Sequence, residues 1–262
     1  MIPVSVSSKN VKKSYIQTKA ILKSNRKISD SIYEMTIHCP EIASSSIPGQ
    51  FISILCDNTL LRRPFSIADA DSQTLQIIYK LKGHGTLYMS KLAPGEHLNI
   101  LGPLGNGFST NYNKALLIGA GVGIAPLIYL SKILMQKNID VYFMTGLQSK
   151  IDLSNPYTNN ILTITEDGSS VQKGLITEYI ENAIKIHKPD IIYSCGPNIV
   201  LKNVVSFANK YHIDTELALE EKFACGTGVC MGCIINIKEN NKVINKRICK
   251  DGPIFKGDSI AW

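Results

Sequence analysis

Along the first hundred positions, apolar residues tend to recur every second residue. In SIYEMTIH (31–38), Tyr33, Met35 and Ile37 alternate with Glu34 and Thr36. FISILC (51–56) follows the turn IPGQ, and TLQIIYK (74–80) alternates Leu75, Ile77 and Tyr79. Side chains on a strand point to opposite faces in turn, so this spacing predicts short strands with one buried face, hence a small antiparallel barrel or sandwich. One short helix is expected near 86–92, and LGPLGNGF (101–108) reads as a turn-rich boundary. After Lys114 the period changes. ALLIG (115–119), DVYFMTG (140–146), NILTITE (160–166), DIIYSCG (190–196) and TELALE (215–220) read as strands. Between them, 124–137, 175–187 and about 198–210 carry helical spacing. Strands alternating with helices predict a parallel, doubly wound α/β sheet. A polar, β-like tail occupies 234–262.

Composition narrows the class. The chain has 262 residues, 44% hydrophobic and 19% charged, with a formal net charge of +7. Its basic residues are scattered, and only Lys9, Lys12 and Lys13 cluster loosely, so no nucleic-acid partner is expected. The first thirty residues carry no apolar core of a signal peptide, and no window approaches the about eighteen apolar residues of a membrane span. Seven cysteines, an odd number, without an export signal point to a reducing, cytoplasmic setting in which thiols are ligands or core residues.

Four of those cysteines carry the strongest signal. Cys225, Cys230, Cys233 and Cys249 are spaced C-x4-C-x2-C-x15-C, and the first three match the plant-type ferredoxin pattern for a [2Fe–2S] cluster. Gly226 and Gly228 between them let a loop curl so that its N–H groups face the sulfurs. The competing reading is a structural zinc site, although zinc ribbons offer two cysteine pairs and Cys249 stands alone. Cys39 and Cys56 sit at strand positions and read as core.

Two further motifs concern phosphate and ring binding. IGAGVGIAP (118–126) ends a strand and opens a helix; Gly119, Gly121 and Gly123 suit a tight turn and close approach to a pyrophosphate, and Pro126 suits the first helical turn. The spacing is G-x-G-x-G, a weak signal alone. Gln148, Ser149 and Lys150 stand where a ribose-binding carboxylate is expected, which leaves NAD against NADP open. In LLRRPFSIAD (60–69), Arg63, Phe65 and Ser66 are read as one strand face that meets a pyrophosphate and an aromatic ring.

Together these motifs resemble a known family. Arg63-Pro64-Phe65-Ser66 resembles the R-x-[YF]-[ST] motif of ferredoxin-reductase-like flavoproteins, Gly83 to Thr86 their flavin-phosphate turn, and YSCGP (193–197) their nicotinamide-side motif. Adding GPLGNGF, TEDGS…KGLIT and LEEKFACGTGVCMGC…CKDGPIF, the chain from about residue 15 onward is similar to the electron-transfer subunits of NAD-linked dihydroorotate dehydrogenase. The resemblance implies an N-terminal extension at 1–14, an FAD-binding barrel at 15–110, an NAD-binding α/β domain at 111–218 and a [2Fe–2S] subdomain at 219–262. It implies that Arg63, Pro64, Phe65, Ser66, Ile78, Tyr79, Lys80, Gly85 and Thr86 hold FAD. Gly119, Gly121 and Gly123 would line the NAD site, with Cys195 facing the nicotinamide, and Cys225, Cys230, Cys233 and Cys249 would hold the cluster. The implied partner is an FMN-containing catalytic subunit in a heterotetramer of two of each chain. The alternatives are a related reductase subunit serving ferredoxin, sulfur compounds or hydrogenase, and a zinc-stabilised binding module.

Overall fold

The computed structural model describes residues 15–153, 155–158 and 161–262, so the expected extension at 1–14 lies outside the described residues. The first element, β1 (Ile16–Lys27), is followed by β2 (Ile32–His38), a single turn α1 (Pro40–Ala43), β3 (Phe51–Leu55) and β4 (Arg63–Ala70). Then come β5 (Thr74–Lys80), α2 (His84–Met89) and β6 (His97–Leu104). The six strands close into an antiparallel barrel in the order β1-β2-β5-β4-β3-β6. The period-two pattern does what was expected of it: Met35, Ile37, Leu75, Ile77 and Tyr79 face one buried core with Leu22, Ile52, Ile54 and Ile67. Each large aliphatic residue so buried contributes about 1.5–3 kcal/mol relative to exposure.

Three details differ from the sequence reading. The strand β1 has little alternation to betray it, since only Ala20 and Leu22 of its twelve residues are buried and a bulge separates Leu22 from Ser24. The segment from Leu101 to Leu104 is strand, not turn. A side chain at Gly102 would begin 2.9 Å from the Ile52 side chain, so this glycine lets β6 pack closely on β3. Finally, Phe65 and Ser66 cannot share a face. Phe65 and Ile67 turn toward the barrel core, whereas Ala68, on the side of Ser66, belongs to the core packed around the helix α3 described next.

The second unit begins at β7 (Lys114–Ala120), followed by α3 (Ile124–Gln136), β8 (Asp140–Leu147), β9 (Leu162–Thr165) and the short β10 (Gln172–Lys173). It continues through α4 (Ile180–His187), β11 (Ile191–Cys195), α5 (Asn198–Tyr211) and β12 (Asp214–Ala218). The chain ends with the hairpin β13 (Ile234–Glu239) and β14 (Lys242–Arg247), one turn α6 (Ile248–Asp251) and β15 (Ile254–Lys256). Strand order is β10-β9-β8-β7-β11-β12-β15, parallel except for β15. Alternate residues of β7 separate the two faces: Leu116 and Ile118 meet α4 and α5, while Ala115 and Leu117 meet α3. This is the doubly wound arrangement. The cysteine-bearing segment is knitted into it, since β15 pairs with β12 and Cys233, Ile237, Ile248 and Cys249 share the core of α4 and α5.

Helix α3 also joins the two units. Its Tyr129 packs into the barrel core and donates to the Ser46 carbonyl at 2.9 Å. One turn on, the Lys132 ammonium lies 2.7 Å from Asp69 of β4 and donates to the Ala70 carbonyl at 2.9 Å. Asn155 adds a 3.3 Å hydrogen bond to the same carboxylate. At the other edge Arg26 of β1 reaches Asp152 at 2.6 Å.

Candidate functional site

At the start of β4, two neighbouring arginines have different surroundings. Arg62 is spent on structure: it donates to the carbonyls of Ser53 and Asn99 and to Asn99 Oδ1 at 2.7 Å, tying β3 to β6. Burial pulls its guanidinium below the usual arginine value. Among the described residues the Arg63 guanidinium makes a single hydrogen bond, to the Leu61 carbonyl at 2.5 Å. Its stem crosses Gly85 so closely that a side chain there would begin 2.9 Å from Nε. Gly85 therefore keeps the Arg63 side chain in line with the turn at the start of α2. Thr86 shapes that turn, because its hydroxyl accepts from the Lys82 and Gly83 N–H groups and donates to the Gly83 carbonyl. A guanidinium largely free of protein partners beside a glycine turn is suited to a phosphate.

The other residues expected at the flavin divide by face. Tyr79 points into the barrel, 2% exposed, donating to Asn25 Oδ1 at 2.9 Å, stacked on Tyr33 and edge-on to Phe65. Its ring is a core element, and what it can offer a ligand is its backbone. Ile78 belongs to the core around α3, whereas Lys80 lines the cleft between barrel and sheet.

That cleft measures about 790 Å3 and runs along the carboxyl ends of the parallel strands. The three expected glycines play different parts in it. A side chain at Gly119 would begin 3.0 Å from Ile124 Cα, and one at Gly123 only 2.5 Å from the Cys195 carbonyl oxygen. Both permit close packing of the loop. Gly121 has φ +59° and open space where a side chain would go, and it lines the cleft. It is the member of the trio that offers backbone to a ligand. Ligands in such sheets bind where the strand order reverses, here between β7 and β11. Cys195 ends β11 but does not line the cleft: it is 1% exposed, and burial pushes its thiol well above the usual range. The expectation that this thiol faces a nicotinamide is not met in this structure.

The four spaced cysteines do come together, in two pairs. Backbone N–H groups of Thr227, Val229 and Cys230 point at Cys225 Sγ at 3.3–3.4 Å, with Gly226 at φ +70° and Gly228 at φ +84° turning the loop. The Gly232 N–H points at Cys230 Sγ and the Cys249 N–H at Cys233 Sγ. Burial raises the Cys225 thiol, but the Cys230 and Thr227 N–H groups outweigh it and bring it to about 6. Burial and the adjacent Cys233 push Cys249 up to about 12. Among the described residues no three His, Cys, Asp or Glu side chains converge as a single metal ion requires. Two thiol pairs with N–H donors to sulfur fit a binuclear iron–sulfur centre better than one zinc ion. Cys233 and Cys249 are buried, whereas Cys230 is exposed between Val229 and Met231, themselves 80% and 49% exposed.

The cluster loop rests on the barrel. Phe223 packs on Phe51 of β3 with ring centroids 5.3 Å apart, and a side chain at Gly226 would begin 3.8 Å from the Ser53 hydroxyl. Phe51 and Ser53 are register partners of Ser66 and Pro64 on β4. One residue with a large part in this had no assigned role in the sequence. Asn106 both donates to and accepts from the Ile254 backbone at 2.9 Å, and its own N–H meets the Gly252 carbonyl. It clamps the chain after Cys249 to the end of β6. GPLGNGF was visible as a motif, but its partner lies 148 residues away.

Comparison with known proteins places this geometry in a family. Residues 220–261 match the family described as the iron–sulfur cluster binding domain of dihydroorotate dehydrogenase B. The dihydroorotate dehydrogenase B (NAD(+)) electron transfer subunit of Caldanaerobacter subterraneus subsp. tengcongensis is 37% identical over 248 residues, covering 93% of this chain and 98% of that protein. The corresponding subunit of Streptococcus mutans is 37% identical over 250 residues, covering 90% and 95%. Among solved structures, an NADH-dependent reduced ferredoxin-NADP oxidoreductase studied for flavin-based electron bifurcation superimposes with TM-score 0.84 at 27% identity, over 93% of this chain and 90% of that one. The ferredoxin reductase of carbazole 1,9a-dioxygenase, at TM-score 0.64 and 15% identity over 76% and 67%, shares the fold. The chain belongs to the family of dihydroorotate dehydrogenase B electron transfer subunits.

Proposed function

We propose that this chain carries electrons between a dihydroorotate-oxidising catalytic subunit and NAD+, through a [2Fe–2S] cluster on its four paired cysteines and FAD on the barrel. Bound there, the flavin would exchange a hydride's electron pair with single electrons passed to and from the cluster. The chain's own residues would do the rest. Arg63 holds flavin phosphate beside Gly85, Pro64, Ser66 and the backbone of 65 and 78–80 line its ring, and Gly121 admits the dinucleotide. Cys225 with Cys230, and Cys233 with Cys249, hold the cluster, with the loop N–H groups stabilising sulfur charge. The observation that carries this reading is the seat of the cluster loop on β3, the strand paired with the flavin motif. The catalytic partner is FMN-containing, and two copies of each chain form the complex, docked where Val229, Cys230 and Met231 are exposed.

The test is anaerobic reconstitution of both chains. Wild type carries flavin and iron–sulfur absorbance, and the complex couples dihydroorotate oxidation to NAD+ reduction. Cys230→Ser keeps NADH-dependent flavin reduction and loses that coupling, since a serine oxygen matches iron in such a cluster poorly. Undiminished coupling in a cluster-free variant would refute the route. Co-purification with a ferredoxin-linked partner instead would move the chain to the bifurcating relatives, whose similarity to it is lower.

A further inference from the structure

We propose that Glu166 is the residue by which this chain selects a nicotinamide dinucleotide without a 2′-phosphate, taking the ribose hydroxyls of the adenosine half on its carboxylate. The proposal rests on the reading of the 790 Å3 cleft as the dinucleotide site.

The orientation of the dinucleotide follows from where electrons must leave. The cluster loop continues from β12, which neighbours β11, and it seats on the barrel strand β3. The reacting nicotinamide half therefore lies toward β11, and with the pyrophosphate at Gly121 the adenosine half extends over the ends of β8 and β9. Gln148, Ser149 and Lys150, just after β8, stand where a ribose-binding carboxylate is expected, and their donors are of the kind that suits a phosphate. The structure spends two of their donors elsewhere. The Ser149 hydroxyl bonds the Asp167 carboxylate, and the Lys150 N–H donates to Ser169 Oγ at 2.7 Å. Asp167 is itself committed to this turn, accepting the Ser169 N–H at 2.9 Å.

Glu166 stands apart from that network. It follows β9 directly, its N–H is fixed on the Leu147 carbonyl at 3.1 Å, and its side chain lines the cleft. The carboxylate is exposed and has no hydrogen bond or ion pair among the described residues. A carboxylate is acceptor-only, which matches a pair of ribose hydroxyls and opposes a phosphate dianion. Of the residues lining this end of the cleft, Glu166 opposes a 2′-phosphate dianion and Lys150 attracts it, while Asp167 is held in its own turn outside the lining.

The test is anaerobic reduction of bound flavin in the full chain by NADH and by NADPH. Wild type should prefer NADH. Glu166→Gln should narrow the ratio of kcat/KM values by about tenfold or more, because a like-charge clash is removed and one good acceptor is lost. The change should appear in KM for both nucleotides, in opposite directions, whereas a merely structural loss would weaken both together. Lys150→Ala made in the Glu166→Gln background should cut NADPH use again. An unchanged ratio in Glu166→Gln, or a wild type that prefers NADPH, overturns the proposal. If neither nucleotide reduces the flavin of wild type, the cleft is not the dinucleotide site, and the underlying reading fails first.

Discussion

Replacing Lys132 with methionine tests how the flavin barrel and the nucleotide sheet are held in register. Methionine keeps the apolar stem along α3 and removes the ammonium that bridges Asp69 and the Ala70 carbonyl. The two side chains are only 15% and 20% exposed, so water replaces the lost partner poorly. Breaking a buried ion pair from one side costs about 3–5 kcal/mol. Asp69 keeps two donors, the Ala70 N–H at 2.8 Å and Asn155, which places the cost near the lower bound, about 3 kcal/mol. For a chain of this size that corresponds to a fall in Tm of roughly 6–12 °C, readable by circular dichroism. Asp69→Asn combined with Lys132→Met should cost less than the sum of the single changes, since the pair is one interaction. The functional readout is sharper. Because α3 connects the glycine loop to β4, a shift near 1 Å slows hydride transfer from NADH by up to about a hundredfold while flavin stays bound. If Lys132→Met melts within about 2 °C of wild type and reduces its flavin at the wild-type rate, the latch has no such role.

Three further outcomes follow from the geometry. Arg63→Ala should lose a charge-assisted bond worth about 1.5–3 kcal/mol, weakening FAD roughly ten- to hundredfold; unchanged flavin affinity on dilution would dissociate Arg63 from the site. Gly123→Ala forces a methyl to 2.5 Å from the Cys195 carbonyl oxygen at the N-cap of α3, so it should be destabilising by about 1–3 kcal/mol in urea unfolding. A neutral or stabilised variant would show that the loop relaxes freely. Asn106→Ala should expose the Ile254 backbone pair it satisfies and loosen the iron-binding segment, seen as faster loss of iron–sulfur absorbance to a chelator than in wild type at equal FAD content.

Much of this was legible where the physical cause is local. The α/β half declared itself because Leu116 and Ile118 alternate with Ala115 and Leu117 within one strand, and α3 carries its own apolar run. The cysteine loop was legible because three ligands and their turning glycines lie within nine residues. What could not be read is set by distant partners. The barrel closes through β1, whose pairing with β6 owes little to its own two buried residues. Gly102 looked like a turn because nothing near it in sequence reveals Ile52. The strand-end thiol of Cys195 and the ring of Tyr79 carried the right residue types for ligand contact, yet the fold turns both into the core. Glu166 gave no such signal because it follows β9, one strand beyond the place where the usual fingerprint puts its carboxylate.

The return of the chain from the cluster loop to β15 has a bearing on solubility. Without β15, the parallel sheet would end at β12, whose 215–218 are apolar or partly buried and whose outer backbone groups would lie open. An open strand of that kind is a template for pairing with another copy. The three residue pairs that cover it are tethered on one side by α6 and Cys249 and on the other by the Gly257–Ser259 turn under Thr215. The segment after the cysteine loop therefore also serves as an edge cover, held by its pairing with β12 and by the Asn106 clamp on Ile254.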